Sequence, residues 1–178
     1  MTGGDFPHLD EHGGAWMIDV TAKDPTVRRA VARCTVRTTA DPRDVTASAS
    51  VLGGLDPVEA ARVAGVQGAK QTSALLPLCH PIRLTDVRVD VVPTEGGIDV
   101  VAVTEVVDRT GVEMEALTAC AVAGLTLVCA LTTVDPEASI DDLTLWLKVG
   151  GRSGRWQRGG APDPGAPGLP PMVQDGDP

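Results

Sequence analysis

The stretch from Thr110 to Val134 constrains this chain more than any other. It reads as one long helix with almost no polar face, and Ala119, Cys120, Ala121, Val122, Ala123 and Gly124 fill its centre. A helix that is apolar all round must be covered on several sides. Thr110 and Glu113 have the spacing of a capping box at its start, and Pro136 stops it. The rest of the chain must therefore supply a sheet face and a second helix. Two layers alone still leave part of this helix for a partner subunit.

The other segments meet that demand in a fixed order. Val27 to Thr38 reads as a strand, because Ala30, Ala32, Cys34 and Val36 alternate with other residues. Asp56 to Leu76 reads as a helix, with Asp56 as its cap, Pro57 in its first turn and Glu59 at the capping-box position. Its Gly65 and Gly68 permit close approach of another backbone. Val87, Val89 and Val91 alternate with Asp86, Arg88 and Asp90, giving a half-buried strand. Glu95-Gly96-Gly97 turns the chain into a further strand, Ile98 to Val107. Leu143, Leu145, Leu147 and Val149 form the last. Strand, helix, strand, strand, helix, strand is the α+β, ferredoxin-like βαββαβ order: an antiparallel four-stranded sheet with two main helices on one face.

Composition limits the function classes. The 178 residues suit one domain, and 43% are hydrophobic, but with three Trp, one Phe and no Tyr the core must be aliphatic. A net charge of −9 argues against a nucleic-acid partner. No uninterrupted apolar run of membrane-spanning length and no secretion signal stand out, so the expectation is a cytoplasmic protein without a membrane partner. Cys34, Cys79, Cys120 and Cys129 are widely spaced, as reduced thiols would be. Residues 1–14 and the Gly/Pro-rich residues 157–178 read as disordered, leaving 15–156 as the domain.

Leu75 to Pro81, LLPLCHP, is the sharpest local feature. Cys79 and His80 could be half of a metal site, a nucleophile with its base, or a packed helix end. Metal needs further ligands, and His8 and His12 lie in the N-terminal segment, so no metal is expected. Adjacent residues point apart, which weakens the nucleophile pair. Glu113 and Glu115 flank Met114 at a helix start, where the helix dipole favours the ionised form. Lys23, Arg28, Lys70 and Lys148 are scattered cations, and Gly150 to Gly154, GGRSG, could cradle a phosphate or simply turn.

Five blocks, WMIDVTAKDPTVRRA, EAARVAGVQGAK, LLPLCHP, TGVEMEALTA and LKVGGRSG, together resemble the cyclic pyranopterin monophosphate synthase family, MoaC, of molybdenum-cofactor biosynthesis. The resemblance covers roughly residues 15 to 154. It implies conversion of a cyclised dihydroguanosine triphosphate into cyclic pyranopterin monophosphate with release of diphosphate. No metal or redox cofactor is implied. The implied assembly is a homohexamer built as a trimer of dimers, with pockets at subunit contacts. It places His80, Leu78, Cys79, Glu113, Met114 and Glu115 at the ligand, with Lys23, Arg28, Lys70 and Lys148 as basic pocket positions.

The departures from the family pattern carry as much information. Cys129 stands where the family carries a catalytic aspartate, and Thr132 where it carries a catalytic lysine. The family's Lys-Gly-Asp turn reads Gly54-Leu55-Asp56, a histidine has become Trp16, and the TGKTG segment reads VDRTG with Asp108 and Arg109. Diphosphate departure needs fixed cations, and an aspartate is a general acid or base. A buried thiol at 129 would stay protonated. These losses imply a diverged cyclase, lyase or rearrangement catalyst of specialised metabolism, acting on a less charged, more aromatic heterocycle. Its catalytic groups would be His80, Glu115, Lys148 and Cys129. Two alternatives stand beside it: an authentic synthase that tolerates the replacements, and a silent binding or regulatory homologue.

Overall fold

The computed structural model describes residues 8–9, 12–47 and 56–160. The expectations for residues 1–7, 10–11 and 161–178, and for Gly54 and Leu55 of the altered turn, lie outside the described residues.

The elements run β1 (Thr26–Arg37), α1 (Pro42–Ala47), α2 (Pro57–Lys70), α3 (Thr72–Leu75), β2 (Asp86–Thr94), β3 (Gly97–Asp108), α4 (Glu113–Leu131), β4 (Ser139–Val149) and β5 (Trp156–Gln157). The sheet is antiparallel throughout, in the order β2-β3-β1-β4-β5. Its first four strands, with α2 and α4, are the ferredoxin-like arrangement. The fifth strand was not anticipated. Gly150, Gly151 and Gly154 take positive φ angles and fold the chain back, so that Trp156 and Gln157 pair with Lys148 and Leu147.

The alternation that defines the strands sorts their side chains. Ala30, Ala32, Cys34 and Val36 of β1, with Ile98, Val100, Ala102 and Val106 of β3, meet α4 through Ala116, Ala119, Cys120, Ala123 and Leu127. On the other face Val31, Val101, Val103 and Leu147 are buried beneath charged arms. There Arg29 pairs with Glu105 at 3.1 Å, and Arg33 lies 5.0 Å over the Trp146 ring.

By length and hydropathy α4 could cross a membrane, so the expectation of no such segment is corrected. Half of its apolar window is buried inside the domain instead, against the sheet and α2. Leu125 and Cys129 remain exposed on its outer side, so the thiol expected to be buried at 129 is not.

Helix caps and ends depart from the sequence pattern for local reasons. Asp56 does cap α2, accepting from the Val58 amide at 2.7 Å, but Glu59 pairs with Arg62. The helix expected to reach Leu76 stops at Lys70, where the Thr72 hydroxyl bonds back to the Ala69 carbonyl at 2.9 Å. Helix α4 begins at Glu113, with Val112 as cap and no side-chain cap bond, so Thr110 does not form the expected box.

Gly65 and Gly68 bring α2 onto α4. A Cβ at Gly68 would lie 2.8 Å from Val122 Cγ2 and 3.3 Å from the Thr118 carbonyl. Gly68→Ala gains about 1 kcal/mol of helix propensity but forces the two helices apart, an overpacking cost of about 1–3 kcal/mol. The expected net result is a lower urea midpoint, measured by circular dichroism. An unchanged or raised midpoint would show that the helix pair has slack.

Candidate active site

A concave pocket of about 150 Å³ opens where three pieces of chain meet at the start of α4. Ile18, Val20 and Lys23 come from the irregular segment before β1, with His8 from further upstream. Leu78, Cys79 and His80 come from the turn after α3, where Pro77 and Pro81 keep the chain out of a helix. Thr110, Gly111, Glu113, Met114 and Glu115 come from the loop and first turn of α4.

Seven of the residues singled out from the sequence therefore line one cavity: Lys23, Leu78, Cys79, His80, Glu113, Met114 and Glu115. Lys148 reaches its edge from β4. Its ammonium lies 3.5 Å from the Glu113 carboxylate and donates to the Ser153 hydroxyl at 2.6 Å. Glu113 is free for this pair because it closes no capping box. Gly111 leaves room for its carboxylate, which any Cβ at 111 would strike.

The remaining nominated residues lie elsewhere in the protomer. Lys70 lines an open groove of about 550 Å³ between α2 and β2, with Arg62, Val63 and Arg88. Arg28 bonds through Nε to the Asp108 carbonyl at 2.9 Å. Trp16 is exposed and does not close the pocket. Cys129 and Thr132 sit at the far end of α4, and the Thr132 hydroxyl bonds the Cys129 carbonyl at 2.9 Å. Fourteen residues at 1.5 Å each put Cys129 roughly 21 Å from Glu115. The replaced positions Trp16, Cys129 and Thr132 are thus not assembled with His80 and Glu115 inside one chain.

Sequence reasoning did not single out His8, Ile18, Val20, Thr110 or Gly111 as pocket residues, and it held Ser153 only as part of the GGRSG loop. For Ile18 and Val20 a signal existed: they alternate with Asp19 ahead of Lys23. His8 fell in a segment set aside for its polarity.

The electrostatics of the pocket centre on Glu115. Only 4% of this residue is exposed. Burial pushes its carboxyl up to about 7, and the neighbouring Glu113 charge adds to the rise, while a bond from its own amide opposes it. A carboxyl of that kind can give or take a proton near neutrality. Burial, and then the Glu115 charge, raise the Cys79 thiol, which makes it a hydrogen-bond donor rather than a nucleophile. Asp19 is held low by the Thr21 hydroxyl and amide, with a smaller contribution from His80. Among the described residues no cluster of three or more His, Cys, Asp or Glu side chains could hold a metal ion.

Known proteins resemble this chain in sequence over most of its length. The model of the MoaC family matches residues 17–151. A protein of Mycobacterium bovis named cyclic pyranopterin monophosphate synthase 2 is 46% identical over 155 residues, covering 87% of this chain and 92% of its own. Proteins named cyclic pyranopterin monophosphate synthase from Desulforapulum autotrophicum and Thermomicrobium roseum are each 47% identical. They are matched over 84% and 86% of this chain and 93% of their own lengths. All the residues lining the pocket except His8 fall inside the matched region, and the chain belongs to the MoaC family.

Proposed function

We propose that this chain is a lyase of the cyclic pyranopterin monophosphate synthase type. Its substrate in this reading is a cyclised dihydroguanosine triphosphate, its products cyclic pyranopterin monophosphate and diphosphate. One observation carries the proposal: a buried carboxyl with a near-neutral pKa, Glu115, shares a pocket with His80 and with the cation Lys23. Glu115 and His80 are the proton-transfer pair. Lys23 and Lys148 meet the phosphates, whose departing charge must be neutralised in place. Cys79 donates to the bound ring. The relatives' names support the same reaction.

The site is completed by other copies of the chain, in a dimer and then a hexamer. A cavity of about 150 Å³ falls below the roughly 300 Å³ at which ligand pockets begin, so the substrate must extend past one protomer. Exposed Leu125 and Cys129 on α4 give a partner an apolar surface to cover. Four free cysteines suit the reducing cytoplasm.

A second reading rests on one observation of its own. Position 129 holds an exposed thiol and position 132 a hydroxyl turned onto its own helix. Neither is a carboxylate nor a cation, which favours a less charged substrate. The deciding experiment incubates purified protein with the cyclised triphosphate and measures diphosphate release beside one of the named relatives. Release at a comparable rate supports the synthase. Absence of release, with binding of uncharged heterocycles in a thermal-shift screen, selects the diverged enzyme. Binding of neither points to the silent homologue.

A further inference from the structure

The pocket wall formed by residues 16–25 has neither helix nor strand before Thr26. Such a segment keeps its shape only through bonds made one at a time. Two of them are internal: the Lys23 amide donates to the Val20 carbonyl at 3.0 Å, and the Thr21 amide to Asp19 Oδ1 at 2.8 Å. These turn the segment but fasten it to nothing else.

Arg109 supplies a tie to the body of the domain. Its Nε donates to the Lys23 carbonyl at 2.7 Å, bridging 86 positions of sequence. A guanidinium bond to a carbonyl is charge-assisted and strong for its length. Arg109 is itself held, since its amide donates to Asp108 Oδ1 at 2.5 Å. The Asp108 carbonyl in turn receives Arg28 Nε. The Arg28 guanidinium is wedged against Gly151, where any Cβ would collide with it. A chain of contacts thus runs from the loop after β4, through Arg28, Asp108 and Arg109, to the backbone of Lys23.

We propose that Arg109 is a positioning residue for Lys23, locking the 16–25 segment so that the Lys23 ammonium is presented to the pocket. Fixing the Lys23 carbonyl fixes the Cα from which the side chain reaches. Only the ligand arm of the test rests on the phosphorylated substrate proposed above.

The test compares wild type, Arg109→Ala and Arg109→Lys as full-length protein. Hydrogen exchange reports on the segment, acetylation of Lys23 by an amine-reactive reagent on its side chain, and titration with inorganic diphosphate on the pocket. In Arg109→Ala the amides of residues 16–24 exchange about tenfold faster, as local opening without global unfolding allows. Lys23 acetylates faster, diphosphate binding weakens several-fold, and the urea midpoint stays put because Arg109 is exposed. Arg109→Lys recovers part of each effect, since an ammonium donates to the carbonyl without the planar fork. Unchanged exchange overturns the proposal. So does faster exchange with unchanged Lys23 acetylation and unchanged diphosphate affinity. If wild type ignores diphosphate while Arg109→Ala speeds exchange and acetylation, the positioning role stands and the phosphorylated-substrate reading falls.

Discussion

Glu115→Gln should yield a protein more stable than its parent at pH 8 and nearly inactive. The buried carboxyl has its pKa raised to about 7, against an ordinary value of 4.5. Between those two values the folded state holds a proton that the unfolded state has released. Wild-type stability is therefore full below about pH 4.5, declines as pH rises through 7, and levels off above it. The shift corresponds to roughly 3 kcal/mol as an upper bound. Glutamine stays neutral at every pH and keeps the shape of the protonated acid, so the variant lacks this decline. The two proteins should match near pH 4 and diverge by pH 8, which urea titrations at a series of pH values will show. Activity moves the other way. Loss of a positioned acid or base costs on the order of 10²–10⁴ in rate, and the ionisation near pH 7 should vanish from the residual pH–rate profile. Equal stability at pH 8 would mean that Glu115 is hydrated in the assembled protein. Undiminished turnover would remove it from the proton-transfer role.

The same residue marks the division between what the sequence made legible and what it did not. The strands β1 and β2 could be read because each packs one face against helices, which imposes a period of two on Ala30 to Val36 and on Val87 to Val91. In β4, by contrast, a register shift puts Leu145 and Leu147 on opposite faces. The glycines of α2 announced a close helix contact, and Val122 fills it. The start of α4 was misplaced because Thr110 and Glu113 satisfy a local capping rule, while the fold uses Glu113 for Lys148. Tertiary pairing outweighed local preference there. The two-residue β5 is too short for any periodicity and depends on positive-φ glycines. Within the site, the segments Leu78 to His80 and Glu113 to Glu115 were visible as motifs. The wall from Ile18 to Lys23 was half hidden, because Arg109, far away in sequence, holds it. Lys70 shows the limit of a motif: its sequence context matches the family, yet in a single protomer it faces the groove between α2 and β2.

If the parent releases diphosphate from the cyclised triphosphate slowly, as the second reading requires, the double variant Cys129→Asp, Thr132→Lys is expected to release it on the order of 10²-fold faster. Such a gain is within the range of one added general acid or base, before any help from an added cation against departing charge. The structure allows the change at small cost. Both positions are exposed at the last turn of α4, so neither new side chain must enter the core. A lysine there also favours the negative helix end, by about 0.3–1 kcal/mol, and its spacing of three from the new aspartate permits an ion pair along the helix. The gain requires that this end of α4 meet the Glu115 pocket of another copy, because roughly 21 Å separates the two within one helix. Turnover should accordingly rise only in the assembled fraction from size-exclusion chromatography. A double variant that folds and assembles but shows no gain would mean that the chemistry runs through Glu115 and His80 without the far helix end. A gain confined to one of the two single substitutions would identify whether an added carboxylate or an added cation at this helix end speeds the reaction.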